Sequence, residues 1–265
     1  MIVYDLRTQP LSIGDFLNYM EVGEIIGDRD LAFSYDPANP VIRSPAFAHI
    51  NAGNFMQHFA PYLSFTDKVF TKRAYGEWPP ARHRNEYVHY YIHNEVLKNG
   101  IKPLTMKSLP WAQEFLKAHD AKYVIQVRNN SRTTNRNSNW MAWVQFLRRR
   151  KENFVLIGSP AEARDELRLP NVIVAKDHKT TMEQDMALVE AADVFMGASS
   201  GPATVAIFNH KPYRVFNTNV SHGWVDGYVM EGVRGRFRFA VGNQVMIKGA
   251  ESADLIEKEF EECNT

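Results

Sequence analysis

The sequence has little of three features that would each point to a class of protein. Cysteine occurs once in 265 residues, as Cys263, which excludes an internal disulfide and favours a reducing, cytoplasmic setting. No run of about 18 apolar residues occurs, so we expect no membrane span. Net charge is almost absent, because 31 Lys and Arg are balanced by 30 Asp and Glu. We therefore expect no nucleic-acid partner.

Motifs of several enzyme classes are also missing. No glycine fingerprint of the GxGxxG type opens either half, which argues against a dehydrogenase. Ser199 has no GxSxG elbow around it, which argues against a hydrolase. The histidines of the first half lack HExxH or comparable spacing, so we expect no metal site. The function must come from another kind of site.

The second half of the chain alternates apolar strand-like runs with helical patterns. The predicted strands are residues 122–128, 154–157, 172–175, 193–197 and 213–216. One predicted helix begins at Trp140, and three others cover residues 160–167, 181–192 and 203–208. Ser159 is the expected N-cap of the helix at 160–167. Uniformly apolar strands separated by helices favour a parallel sheet covered on both faces.

The first half begins with the same alternation. Residues 2–6, 31–35 and 68–72 predict strands, and a helix runs from the turn at Ile13 towards Ile26. We therefore predict an α/β protein with two Rossmann-like lobes, whose parallel sheets carry helices on both faces. The lobes would cover 1–105 and 106–250, with a C-terminal helix in 251–265. A glycine-punctuated segment, 223–242, either closes over a ligand or forms a terminal hairpin.

Two loops at the carboxyl ends of predicted strands are candidates for ligand binding. In residues 197–204, small side chains and the hydroxyls of Ser199, Ser200 and Thr204 surround a helix start whose N–H groups favour an anion. The same residues also suit an ordinary capped helix start. Residues 129–139 are eleven successive polar residues, where connections usually have about 2–6. They form either a ligand loop or a solvated excursion.

Residues 122–217 resemble the donor-binding half of GT-B glycosyltransferases, closest to heptosyltransferase-like and fucosyltransferase-like members. The resemblance is carried by VIQVRNN, FVLIGS and LVEAADVFMGASSGPATVAIFNHKPYRVFN. It implies that the second lobe binds a nucleotide-diphosphate sugar and the first lobe faces the acceptor. The implied contacts with the donor diphosphate and nucleotide are Arg128, Gly158, Ser159, Ser199, Ser200, Gly201 and Thr204, with Gly158 and Ser159 near the base. Arg132, in the polar loop, is a further candidate for the diphosphate.

The turn at 12–16 also resembles the amino-terminal turn of heptosyltransferase-type enzymes, where a Gly-Asp pair opens the first helix. This implies that Asp15 is the general base for the acceptor hydroxyl. The alternative is an acidic residue that complements the helix dipole.

The activity implied is hexosyl or fucosyl transfer to a glycan or small-molecule acceptor, in glycan or polysaccharide biosynthesis. The resemblance favours an inverting mechanism without metal or other cofactor, in which the nucleotide-diphosphate sugar is the co-substrate. A nucleotide-sugar epimerase and a non-catalytic nucleotide-sugar-binding module stay open as alternatives. The first lobe is short for this family, so a second subunit could complete the acceptor site in a homo-oligomer.

Overall fold

A computed structural model describes residues 2–5, 13–35, 69–73, 94–131, 134–217, 228–231 and 233–264. The strands are β1 (Ile2–Asp5), β2 (Leu31–Tyr35), β3 (Val69–Arg73), β4 (Ala121–Gln126), β5 (Asn153–Leu156), β6 (Val172–Val174), β7 (Val194–Ala198), β8 (Tyr213–Phe216), β9 (Tyr228–Glu231), β10 (Arg234–Phe237) and β11 (Gln244–Ile247). The α-helices are α1 (Ile13–Ile26), α2 (Leu109–Ala118), α3 (Trp140–Arg148), α4 (Met182–Ala191), α5 (Gly201–Ile207) and α6 (Ala253–Cys263). Residues 94–99 are also helical. No helix within these ranges has the length and apolar character needed to cross a membrane.

The larger sheet is formed by the second half of the chain, in the order β6-β5-β4-β7-β8-β11-β10-β9. Its first six strands are parallel, with Val124 of β4 opposite Phe195 of β7. The last two strands are antiparallel neighbours, with Arg234 opposite Glu231, so this part of residues 223–242 is a hairpin, one of the two alternatives for that segment. The predicted α/β fold is confirmed.

The larger sheet is covered on both faces. Side chains alternate along each strand, so successive residues point into different cores. Val124 and Phe195 point into one core, together with α2, α4 and α5. Ile125 and Met196 point into a second core, together with α3 and α6. Their strands are therefore apolar throughout, which is the pattern that predicted a parallel sheet.

The smaller sheet is parallel, in the order β1-β2-β3. Helix α1 packs against β1, where the Tyr4 and Phe16 rings meet edge to face at 5.5 Å between centroids. The helix covers Ile13–Ile26 and so includes most of the predicted turn at 12–15, and it ends at Ile26 as predicted. This arrangement places the first turn of α1, with Asp15, beyond the carboxyl end of β1.

The segment between the two sheets is joined to α1 by hydrogen bonds of the buried Glu21 and of Lys102. Glu21 Oε1 accepts the Lys102 N–H at 3.1 Å, and Lys102 Nζ donates to the Ile25 carbonyl at 2.9 Å. Burial raises the pKa of Glu21 to about 9, against the opposing effect of the Lys102 N–H. The predicted domain limits, 1–105 and 106–250, stay a prediction.

A buried ion pair fixes the C-terminal helix α6 to the larger sheet. Arg214 of β8 and Glu259 of α6 are fully or almost fully buried, and Arg214 Nε lies 2.9 Å from Glu259 Oε2. Arg234 reaches the same oxygen at 3.1 Å, and Asn243 accepts from Arg214 Nη2 at 2.8 Å. Since both charges are compensated, the pair holds α6 against β8.

The helix predicted at 160–167 was wrong, because turns and a short 3-10 helix (Asp165–Leu167) occupy this range. Glu162 is drawn inward to the end of β4, where it accepts the Asn129 N–H at 3.2 Å. Leu167 is fully buried in the core beneath α3. These two tertiary contacts outweigh the helical pattern of the segment, and Ser159 therefore caps no α-helix.

Candidate functional site

The candidate residues of the second half gather at one edge of the larger sheet. Arg128 follows β4, Gly158 follows β5, and Ser199 directly follows β7. These strands are neighbours in the order β5-β4-β7 and run parallel, so their carboxyl ends lie side by side. This is the edge at which open parallel sheets bind ligands.

The turn after β7 is held by the sheet rather than by a helix cap. The Ser199 N–H donates to the Phe216 carbonyl at 3.0 Å. Ser200 occupies the N-cap position of α5, but its side chain makes no capping hydrogen bond. Its hydroxyl donates instead to the amide oxygen of Gln126, at the end of β4. Ser200 therefore does not cap α5 through its side chain.

Helices α1 and α5 touch at their first turns, through glycine on each side. A Cβ atom on Gly201 would lie 2.8 Å from Ile13 Cβ, and a Cβ atom on Gly14 would lie 3.2 Å from Thr204 Oγ1. At Gly201 an added Cβ would force a shift, whereas at Gly14 it would be a tight contact. The contact brings Asp15 and the turn at 199–204 together, although they are far apart in sequence.

The same contact restricts the access of a ligand to Gly201 and Thr204, two of the predicted donor contacts. Ile13 covers one side of the α5 start at Gly201. Thr204 is 4% exposed and its hydroxyl faces α1, so it lies within the contact between the helices. Ser199 and Ser200 are partly exposed and border the edge of the sheet.

Arg128 is partly buried at the end of β4. Its backbone N–H donates to Ser138 Oγ at 3.1 Å, and its carbonyl accepts the Ser138 N–H at 2.9 Å. Burial lowers the pKa of Arg128, the nearby Arg136 lowers it further, and the carboxylate of Glu162 opposes both. The guanidinium is therefore incompletely solvated and lies next to a second cation, an environment that favours an added anion.

Glu162 is a residue that the sequence reasoning missed. It is 7% exposed, and its carboxylate accepts N–H groups from Ser159 at 2.7 Å and Asn129 at 3.2 Å. The Gln126 side chain lies at 3.5 Å from it. Glu162 thus joins the loops that follow β4 and β5. The spacing Ser-x-x-Glu, typical of a capping box, was the available signal.

Gly158 and Ser159 have N–H groups that already bind protein carboxylates. Gly158 donates to Asp185 Oδ2 at 3.3 Å, and Ser159 donates to Glu162. Asp185 is fully buried and also contacts Lys176 Nζ at 2.8 Å. Burial raises the pKa of Asp185, while Lys176 and the Thr180 hydroxyl oppose this. A ligand would have to contact Gly158 and Ser159 through their other atoms.

Asp15 lies in the first turn of α1, partly exposed, near the buried phenol of Tyr4. Burial raises the pKa of Tyr4 well above its ordinary value, and the nearby Asp15 and Tyr19 add to this. Tyr4 therefore keeps its proton at neutral pH. The sequence reasoning singled out Asp15 and did not find Tyr4.

The structure does not describe the predicted donor contact Arg132. Five histidines of the first half also lie outside the described residues: His49, His58, His83, His89 and His93. Within the described part of the chain, no group of three or more His, Cys, Asp or Glu side chains could hold a metal ion.

Comparison with known proteins gives similarity in structure only. No protein-family model matches the sequence, and no curated protein matches it significantly. The heptosyltransferase WaaC of E. coli with ADP-2-deoxy-2-fluoro heptose is 14% identical, over 100% of each chain, with a TM-score of 0.51. WaaC with ADP is also 14% identical, over 99% of each chain, with a TM-score of 0.51. A family 9 glycosyl transferase of Veillonella parvula DSM 2008 is 14% identical, over 98% of this chain and 88% of its own, with a TM-score of 0.47.

At this level of identity the similarity to WaaC establishes the fold and nothing finer. The aligned region includes the whole of the second half, where the motifs VIQVRNN and FVLIGS carried the resemblance. The chain therefore has a fold similar to that of the E. coli heptosyltransferase WaaC, as the resemblance implied.

Proposed function

We propose that the protein is a glycosyltransferase that moves a sugar from a nucleotide-diphosphate donor to an acceptor hydroxyl. The observation that carries the proposal is the contact between the first turns of α1 and α5, where Gly14 meets Thr204 and Gly201 meets Ile13. It brings the first turn of α1, which contains Asp15, next to the turn of small residues at the carboxyl end of β7. A general base near the donor site is what transfer to an acceptor hydroxyl needs.

The donor is assigned to the sheet edge between β4 and β7. Arg128, with Arg136 nearby, supplies positive charge there, and Ser199 and Ser200 supply hydroxyls. The similar WaaC structures contain ADP and an ADP-linked heptose analogue, which supports a nucleoside diphosphate as the leaving group. Catalysis would come from positioning and from neutralising the departing diphosphate, without a metal.

Asp15 is proposed as the general base of an inverting transfer. It would take the proton from the acceptor hydroxyl while that oxygen forms a bond to the anomeric carbon of the sugar. The bond between this carbon and the diphosphate breaks, and the diphosphate leaves with its charge balanced by Arg128. The buried phenol of Tyr4 lies near Asp15.

The test is turnover of donors by the wild type and by Asp15→Asn. ADP-, UDP- and GDP-linked heptose, hexose and fucose are incubated with the protein, and release of nucleoside diphosphate is followed. We expect one donor to be consumed, and Asp15→Asn to lower the rate by about 10²–10⁴ while nucleotide binding is kept. Asp28→Asn, beyond the other end of α1, is the matched control and should keep the wild-type rate.

Other outcomes separate the alternatives. Isomerised sugar without transfer or hydrolysis would identify an epimerase instead. Binding of nucleotide-sugars with no turnover by the wild type would identify a non-catalytic binding module. If no nucleoside diphosphate binds at all, the proposal is wrong.

A further inference from the structure

We propose that Glu251, just before the C-terminal helix α6, is a positioning residue that holds the Arg128 loop in its diphosphate-binding geometry. The parts of this loop that the structure describes are residues 128–131 and 134–139, between β4 and α3. This inference rests on the proposed function, because it assigns the loop to the donor diphosphate. Glu251 is distant in sequence from the loop and belongs to none of the motifs that carried the resemblance.

Glu251 is buried against the end of the loop. It is 3% exposed, and its Oε2 accepts the Asn139 N–H at 2.6 Å. Its backbone carbonyl accepts Asn139 Nδ2 at 3.2 Å, so one residue binds both the main chain and the side chain of Asn139. The remaining side-chain oxygen of Asn139 accepts the Ala142 N–H and caps α3. Glu251 therefore fixes the point at which the loop becomes a helix.

The connection to Arg128 passes through the neighbouring residue, Ser138. The Ser138 N–H donates to the Arg128 carbonyl at 2.9 Å, and the Arg128 N–H donates to Ser138 Oγ at 3.1 Å. These two bonds bracket the backbone of Arg128. A shift of residues 138 and 139 would therefore displace the base of the guanidinium-bearing side chain.

The rest of the loop is tied differently. Asn130 and Asn137 bond each other at 2.8 and 2.9 Å, which closes the loop on itself. Asn217, after β8, donates to the Asn137 carbonyl at 3.2 Å. These bonds involve Asn130 and Asn137, whereas the Glu251 contacts set the position of the end of the loop at Asn139.

The side chain of Glu251 is buried, and its carboxylate accepts the Asn139 N–H. Burial raises the pKa of Glu251 to about 7, and the Asn139 N–H, the Trp143 indole and the Ser138 hydroxyl oppose this rise. An amide group would place an N–H donor among these donors. Glu251→Gln, nearly identical in shape, should therefore disturb the base of the loop without leaving a cavity.

The experiment is calorimetric titration of ADP, UDP and GDP, with the matching nucleosides as controls. For the diphosphate that binds the wild type, we expect Glu251→Gln to weaken binding about tenfold and to leave nucleoside binding unchanged. In an Arg128→Ala background, Glu251→Gln should have no further effect on diphosphate binding, because it acts through Arg128. Asp254→Ala, which removes an exposed partner of Arg149 from the first turn of α6, is the matched control and should bind as the wild type does.

Some results would overturn the inference. Equal loss of nucleoside and diphosphate binding would indicate a general structural effect, and full additivity with Arg128→Ala would show an independent role. If Glu251→Gln is unfolded at the assay temperature, Ser138→Ala carries the same test, since it removes the acceptor of the Arg128 N–H. A wild type that binds no diphosphate refutes the proposed function, whereas unchanged diphosphate binding by Glu251→Gln refutes only the role of Glu251.

Discussion

Substitution of Gly201 by alanine tests the contact on which the site depends. The added Cβ would lie 2.8 Å from Ile13 Cβ and 3.0 Å from Ile13 Cγ2, whereas ordinary contacts of this kind begin at 3.4 Å. The first turns of α1 and α5 must therefore separate by about 0.6 Å. Overpacking of this kind costs about 1–3 kcal/mol, and the separation also moves Asp15 away from the turn at 199–204.

The assay for Gly201→Ala combines urea unfolding with donor turnover. We expect a free energy of unfolding lower by about 1–3 kcal/mol and a reduced turnover. Gly14→Ala provides a graded comparison, because its Cβ would lie 3.2 Å from a hydroxyl that can move, so its losses should be smaller. Wild-type stability and turnover in Gly201→Ala would refute the argument that glycine is required here.

Two further predictions concern buried charges. Glu259→Ala should lower the free energy of unfolding by about 3–5 kcal/mol in urea titrations, because it leaves Arg214 buried without its carboxylate; a loss below about 1 kcal/mol would contradict this. The folded-state pKa of Glu21 is raised from 4.5 to about 9, so the folded protein binds more protons than the unfolded chain between these values, and stability falls as pH rises through that window. Glu21→Gln should flatten this fall of stability with pH. This one group contributes at most about 1.4 kcal/mol per pH unit to the fall. An unchanged pH profile of the melting temperature would show that Glu21 is not buried as described.

Local patterns predicted the elements of this fold closely. The helix α1 ends where its apolar spacing indicated and the strand β8 has both predicted bounds, because each buries its pattern against an adjacent element. The parallel order of the larger sheet followed from strands that are apolar on both faces. The failure at 160–167 arose because Glu162 and Leu167 are held by distant partners, which a local pattern does not contain.

The candidate site was predictable only in part, for the same reason. Arg128 and Ser199 follow strands, so their common edge could be inferred from the topology rule. The contact of Gly14 with Thr204 joins residues from opposite halves of the chain, and nothing in either motif indicates it. Glu251 and Asn139 are also distant in sequence, so the support of the Arg128 loop becomes visible only in the structure.

A crystal structure of the complex with a nucleoside diphosphate would show directly where the donor diphosphate binds. We expect phosphate oxygens at the carboxyl ends of β4 and β7, within hydrogen-bonding distance of the Arg128 guanidinium and the turn at 199–201, with Asp15 facing the open side. Phosphates bound elsewhere, or an Arg128 side chain turned away from them, would contradict it.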